Sequence, residues 1–375
     1  MAATKLGIDA RLLGVQARGL GRYTQSLIDA LIQSWPSGWR LSLFIHPSNS
    51  LRTYYEQQGI EVIDAPWRPY SWGEQFIFPK LIKAAGLDLV HFPHFNVPLF
   101  YRARYVVTVH DLILHHYPSR QISTRPSVVF WSKYVLYRLS LRSVLKRAAG
   151  VMTVSAFSAE DLLTYYPWLG KKLGVITEPC PEFNGEPDEQ DKIWYNIHRP
   201  YLVVVGSFYP HKNLANVLTA WAALRGSHPY ELVLVGPNDA FAARLRDQAK
   251  ALGLLSGGAG AVRFISSPTD ERLERLYRDA AFCLCPSLYE GAGLPGLEAL
   301  HYGTAVISSA AAALPETYGR AAQYIPVTRP DLLRGALVRL LMSKGERGPM
   351  DLPPVRPTYK QFADAVINFY KRTLA

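Results

Sequence analysis

Cysteine is scarce in this chain: Cys180, Cys283 and Cys285 are the only three in 375 residues. An odd number, with two inside one apolar run, argues against a disulfide framework and for a reducing compartment. No second Cys or His pair stands at zinc-site spacing from Cys283 and Cys285, so they read as small hydrophobes on one face of a strand. No apolar stretch reaches the ~18 residues a bilayer-spanning helix needs. The opening MAATKLGIDARLL has no charged start followed by a long apolar stretch. A cytoplasmic protein is therefore expected, with no secretory signal. Internal repeats and low-complexity tracts are also missing. Acidic residues are in deficit, 30 against 41 Lys and Arg, which gives a formal charge of +11. Such a surface is drawn to anions: nucleotide phosphates, nucleic acid or an acidic lipid layer. No nucleic-acid-binding module is recognisable, so no nucleic-acid partner is expected.

What the chain does have is a long alternation of apolar runs and helical stretches. In the first half the runs are 6–10, 41–46, 60–65, 87–92, 105–110, 150–155 and 173–177. In the second half they are 201–207, 231–236, 262–266, 281–287, 304–309 and 321–327. Most are bulky on both faces, as strands of a buried parallel sheet are. The length suits two domains, and strands alternating with helices predict two doubly wound α/β sheets. Residues 1–177 form the expected first domain. The Pro- and acid-rich stretch 178–200 is the expected linker, 201–357 the second domain, and 358–375 a C-terminal helix packing back on the first domain. Two such domains facing a central cleft would place ligands at the carboxyl ends of both sheets.

Four segments carry candidate chemistry. In CPSLYEGAGLPGLEALHYGTAVISS (285–309) a strand leads through a glycine turn to Pro295, expected as the first helical residue. The free N–H groups of that helix start suit a phosphate or a sugar hydroxyl. Glu290 before it and Glu298 within it can face one small volume; a plain strand–turn–helix with two solvated glutamates has the same spacing. In YLVVVGSFYPHKNLANVLTAW (201–221) a strand runs into Gly206, and Lys212 stands at a helix start. The helix dipole disfavours a cation there unless an anion binds too. In LGIDARLLGVQARGLGRYTQSLIDAL (6–31), Gly19 and Gly21 open a helix beside Arg22, where the backbone could approach a ligand. This is not the dinucleotide fingerprint, because the third glycine is missing. In VVTVHDL (106–112), His110 and Asp111 close a strand, either facing a cleft or satisfied within the core.

Taken together, Gly-Leu-Gly-Arg-Tyr, Thr-Val-His-Asp-Leu, Gly-x4-His-Lys-Asn and Glu-Gly-x-Gly-Leu-Pro-x-Leu-Glu-Ala resemble glycosyltransferase family 4. The closest likeness is to its bacterial mannosyltransferase-like branch, and it spans nearly the whole chain. The resemblance implies a GT-B fold and a retaining transfer of a hexose from a nucleotide-diphosphate sugar to a glycan or lipid-linked acceptor, in cell-surface polysaccharide or glycoconjugate synthesis. GDP-mannose is the favoured donor, with UDP- and dTDP-sugars as alternatives, and a catalytically silent nucleotide-sugar-binding partner is the rival reading.

By the same resemblance, Glu290 meets donor-sugar hydroxyls near the anomeric centre and Glu298 holds the ribose. Gly291, Ala292, Gly293 and Leu294 give backbone donors to sugar and diphosphate. Lys212 neutralises the leaving diphosphate, with Gly206 at the end of the strand before it. Gly21 lies beside the phosphates and acceptor, and His110 near the reaction centre. Three residues depart from the family pattern: Ala292 for phenylalanine, His211 for arginine and Arg320 for aspartate. No Asp-x-Asp occurs anywhere, so the carboxylate clamp of a metal-bound diphosphate is missing and no metal or other cofactor is expected.

A last feature concerns the acceptor. Leu112 to Ala159 contains no acidic residue, yet carries Arg120, Arg125, Lys133, Arg138, Arg142, Lys146 and Arg147. A helix is expected over 126–150, with Phe130, Trp131, Tyr134 and Tyr137 suited to a headgroup layer. Peripheral docking on the inner, anionic membrane face is the resulting expectation; packing against the first sheet is the alternative.

Overall fold

The computed structural model describes residues 3–14, 18–118, 127–180, 197, 200–342 and 355–375. The chain divides into two compact units. The first comprises Met1–Leu112, Trp131–Pro179 and Arg356–Ala375, the second Ile113–Phe130 and Cys180–Val355. Most of the stretch read as a linker, 181–196 and 198–199, lies outside the described residues.

Each expected apolar run forms a strand. The first unit holds β1 (Thr4–Asp9), β2 (Trp39–Ile45), β3 (Glu61–Asp64), β4 (Leu89–Phe92), β5 (Tyr105–Thr108), β6 (Gly150–Thr153) and β7 (Leu173–Val175). They pair in the order β3-β2-β1-β4-β5-β6-β7, all parallel. The second holds β8 (Tyr201–Val205), β9 (Glu231–Gly236), β10 (Val262–Ser266), β11 (Phe282–Cys285), β12 (Ala305–Ser308) and β13 (Ala322–Tyr324). Their order is β10-β9-β8-β11-β12-β13, again parallel. In each sheet the chain leaves a central pair, β1/β4 or β8/β11, in both directions, and a crevice opens at such a point beyond the strand carboxyl ends.

The second sheet shows why apolar residues fill both faces. Leu202, Val204, Leu232, Leu234, Phe282 and Leu284 lie in one core layer. Their neighbours Val203, Val233, Val235, Cys283 and Cys285 lie in the other. Successive side chains of a strand point to opposite faces, so a sheet covered by helices on both sides needs apolar residues at every position. Cys283 and Cys285 are free thiols on the same face, with sulfurs 4.0 Å apart.

The first unit is closed by the end of the chain. Thr358 and Gln361 form a reciprocal capping box at the start of the helix Tyr359–Leu374. That helix buries Phe362, Val366, Phe369 and Tyr370. The Phe369 ring fits where Gly150 and Gly174 have no side chain; a Cβ on either would fall within 2.7 Å of it. Tyr370 places its hydroxyl 2.6 Å from His91 Nδ1 on β4. The segment 113–130 departs from a division made by chain order, because it joins the second unit. There the Tyr117 hydroxyl donates to the Leu288 carbonyl at 3.3 Å, and the His116 ring lies 4.9 Å from Tyr289.

Candidate active site

Beyond β8 the chain passes through Gly206, whose φ of +143° is a backbone state that side chains disfavour. A tight turn, Pro210–Lys212, follows and ends at Asn213 in the left-handed conformation, φ +62°. Asn213 tolerates this because its buried amide donates to the Val327 carbonyl at 2.7 Å. The turn folds Lys212 back over the end of β8, where Nζ pairs with Glu290 Oε1. Ser287 Oγ donates to the same carboxylate oxygen at 2.7 Å. Gly206, Lys212, Pro286, Ser287, Glu290 and Pro295 line one cavity at the β8/β11 switch point.

Burial alone would raise the Glu290 carboxyl, but the Lys212 ammonium, with the Ser287 hydroxyl, outweighs it and holds it below the usual carboxylate range. His211, beside this pair, is 6% exposed and its Nδ1 has no hydrogen-bond partner among the described residues. Burial, and then the Lys212 charge, push it down to about 4, so it stays uncharged at neutral pH.

The helix Leu294–His301 starts at the same place, with Pro295 as its second residue rather than its first. Its approach loop is fixed by the chain's own bonds. The Thr317 hydroxyl donates to the Ala292 carbonyl, and the Tyr318 hydroxyl to the Gly293 carbonyl, both at 2.6 Å. Gly293 has a φ of +69°, and a Cβ on it would lie 2.6 Å from Leu314. The N–H groups of Leu294, Gly296 and Leu297, for which the helix itself has no acceptor, stand at the end of this loop, an arrangement suited to an anion.

Sequence spacing suggested that Glu290 and Glu298 face one volume. The structure places Glu298 elsewhere: it is 3% exposed, its carboxylate accepts the Tyr277 hydroxyl at 2.7 Å, and it does not line the cavity. Tyr277 and Ser287, both in contact with the glutamates, are not singled out by any sequence motif. A serine three residues before Glu290 on the same turn was the only local signal for Ser287.

Gly21 and His110 belong to the first unit. Gly21 sits inside the helix Arg18–Ser34, and a Cβ on it would lie 1.9 Å from the Gly14 carbonyl oxygen. The close approach inferred for a ligand is thus made by the chain itself. His110 follows β5, with Nε2 2.9 Å from the Pro93 carbonyl. A carbonyl only accepts, so Nε2 carries the proton and Nδ1 keeps its lone pair. Burial pushes the ring down to about 4, which leaves it neutral at pH 7.

Comparison with known proteins adds identity to this geometry. A model described as Glycosyltransferase Family 4 matches residues 17–179, and one described as Glycosyl transferases group 1 matches residues 199–343. The O-antigen chain mannosyltransferase RfbU of Salmonella typhimurium is 25% identical over 337 residues, 85% of this chain and 86% of its own. The MMP alpha-(1->4)-mannosyltransferase of Mycolicibacterium hassiacum is 29% identical over 70% of this chain, which spans 61% of that protein. In fold, sucrose-phosphate synthase from Thermosynechococcus elongatus superposes with a TM-score of 0.71 at 20% identity, covering 99% of this chain and 96% of its own.

Proposed function

The chain belongs to the family 4 glycosyltransferases, is a hexosyltransferase of the GT-B fold, and on that premise we propose that it transfers mannose from GDP-mannose with retention and without a metal. The observation that carries this reading is the Lys212–Glu290 pair in a cavity beside the start of the helix Leu294–His301. Breaking the bond between the anomeric carbon and the diphosphate leaves negative charge on the departing oxygen. Lys212 and the helix-start N–H groups would stabilise that charge, which is the electrostatic work a metal would otherwise do. Glu290, kept ionised by Lys212, would stabilise positive charge developing on the sugar. The leaving phosphate would take the acceptor's proton on the same face. His110 and His211, both neutral at pH 7, carry no extra proton to donate, and this same-face route calls for none. Mannose is favoured because both sequence relatives above are mannosyltransferases by name.

The test is a screen of GDP-, UDP- and dTDP-sugars for thermal stabilisation, with donor hydrolysis as the second readout in the presence of EDTA. GDP-mannose should stabilise most and be hydrolysed equally with and without chelator. Loss of turnover in EDTA that magnesium or manganese restores would sink the metal-free mechanism. Binding without hydrolysis or transfer would favour a silent nucleotide-sugar-binding partner.

The acceptor is proposed to be lipid-linked and met at an anionic membrane. No helix among the described residues is long and apolar enough to cross one. The helix Ser127–Arg147, however, leaves Val128, Trp131, Val135, Leu136 and Leu139 exposed, next to exposed Lys133, Arg142 and Lys146. Arg120 and Arg125 lie outside the described residues. Exposed apolar side chains flanked by basic ones suit a headgroup layer, where each Lys or Arg adds about 1 kcal/mol. Sedimentation with vesicles should show binding that rises with anionic lipid and falls with salt. Equal partition onto neutral and anionic vesicles, or none onto either, would count against it.

A further inference from the structure

We infer that Thr317 and Tyr318 are positioning residues for the transfer: they fix and polarise two of the backbone amides, Gly293 and Leu294, that would meet the leaving diphosphate. The diphosphate rests on the transferase reading above; the polarised anion site does not.

The short helix Leu314–Tyr318 braces the loop 290–293 along its length. Just before the helix, the Ala313 N–H donates to the Glu290 carbonyl at 3.3 Å. The Thr317 hydroxyl then donates to the Ala292 carbonyl and the Tyr318 hydroxyl to the Gly293 carbonyl, both at 2.6 Å. Thr317 is 2% exposed and Tyr318 is fully buried. Burial pushes the Tyr318 hydroxyl well up, so it keeps the proton it donates. With that proton given to Gly293, the Cys285 thiol, 3.6 Å behind, is left to donate to the Tyr318 oxygen. The chain makes room for this contact, since a Cβ on Gly296 would lie 2.4 Å from the Tyr318 hydroxyl.

Each carbonyl held in this way shares a peptide group with the next N–H. The Ala292 carbonyl is joined to the Gly293 amide, and the Gly293 carbonyl to the Leu294 amide. Nothing among the described residues accepts a hydrogen bond from either amide. Gly293 is left-handed, with φ +69°, and Leu294 opens the helix, a succession that turns neighbouring N–H groups toward one anion. A peptide whose carbonyl accepts a hydrogen bond becomes a better donor at its own N–H, by roughly 10–30% per bond. Two short bonds on consecutive carbonyls therefore strengthen two consecutive amides. The gain grows with the negative charge they face, so it is larger as the sugar–phosphate bond breaks than in the bound donor. Packing alone would be served as well by valine and phenylalanine, which keep the shapes and lack the hydroxyls.

That difference supplies the experiment. The variants are Thr317→Val, Tyr318→Phe and the conservative Thr317→Ser, each in the full chain. The readouts are calorimetric binding of inorganic pyrophosphate, which carries neither base nor sugar, and the nitrogen-15 resonances of the Gly293 and Leu294 amides. Thr317→Val should move the Gly293 resonance upfield, and Tyr318→Phe that of Leu294. Each should weaken pyrophosphate binding about threefold, the low end of what one hydrogen bond contributes. Thr317→Ser should bind as the native chain does. With a nucleotide sugar that turns over, kcat should fall further than KM rises. The assignment is overturned if the native chain binds no pyrophosphate, or if neither hydroxyl-free variant weakens it. It is also overturned if affinity falls with no change at these two amides, or if Thr317→Ser loses as much as Thr317→Val. Pyrophosphate binding that depends on both hydroxyls, in a chain that cleaves no nucleotide sugar, keeps the two positioning residues and sinks the transferase reading. Turnover that neither substitution alters does the reverse.

Discussion

At the switch point of the second sheet a lysine and a helix start surround one carboxylate. At that of the first, two carboxylates hold one arginine. Both crevices arise from the same parallel, doubly wound topology. Their chemistry differs because of a handful of side chains placed on the loops that leave the strands. Lys212 answers Glu290 from a turn 78 residues away, next to the start of the helix Leu294–His301. Arg11 is engaged by both Asp9 and Glu74. One backbone plan thus carries two different charge arrangements, which is why function is read from the side chains and not the fold.

The sharpest way to break this comparison is to remove the charges of the second site. Glu290→Ala and Lys212→Ala should each reduce kcat by about 10²–10³, the cost of losing one preorganised electrostatic partner, with circular dichroism unchanged. Either variant turning over within about threefold of the native rate would show the wrong residue has been assigned. Lys212→Ala also strands the Glu290 carboxylate, so Lys212→Ala with Glu290→Gln should recover melting temperature but not activity.

The glycines separate the units at a smaller scale. Gly21→Ala forces a Cβ to 1.9 Å from the Gly14 carbonyl, so it should destabilise by about 1–3 kcal/mol, as overpacking does. Gly206→Ala meets nothing closer than Lys212 at 3.5 Å, but its φ of +143° is strained for alanine. It should lower nucleotide affinity as well as melting temperature, whereas Gly21→Ala should lower the melting temperature alone. Equal loss of nucleotide affinity in both would contradict the assignment of Gly21 to packing.

The smallest effect is on pH. In the first unit burial pushes His91 and His94 down to about 3 and His110 to about 4, from an ordinary 6.5. Below 6.5 the unfolded chain binds protons that the native rings refuse. The stability they contribute is therefore complete above pH 6.5 and lost as pH falls toward 4, by up to about 1.4 kcal/mol per pH unit for each ring. Glu290 has its carboxyl held below the ordinary 4.5, so its contribution is present above 4.5 and lost only as pH drops further. Melting temperature should fall between pH 6.5 and 5, and less steeply in His110→Phe. Identical slopes in the two proteins would refute the histidine account.

Much of this was legible in the sequence. Runs bulky on both faces marked the strands, and Gly206, Lys212, Glu290 and Pro295 stood on loops at strand ends because turn chemistry and helix starts are local matters. Such signals reach only a few residues along the chain. They gave no hint that Tyr277 would take Glu298, that Arg11 would meet Glu74 63 residues on, or that Gly21 makes room for Gly14. Nor did they show 113–130 joining the second unit.

By itself, the sequence determined which segments become strands and helices and which charged residues stand at their ends, since periodicity and caps act within a turn or two. The tertiary structure alone decided which of those charges cancel and which polar atoms stay free. That outcome depends on strand order, which brings β1 beside β4 and β8 beside β11 across long stretches of chain.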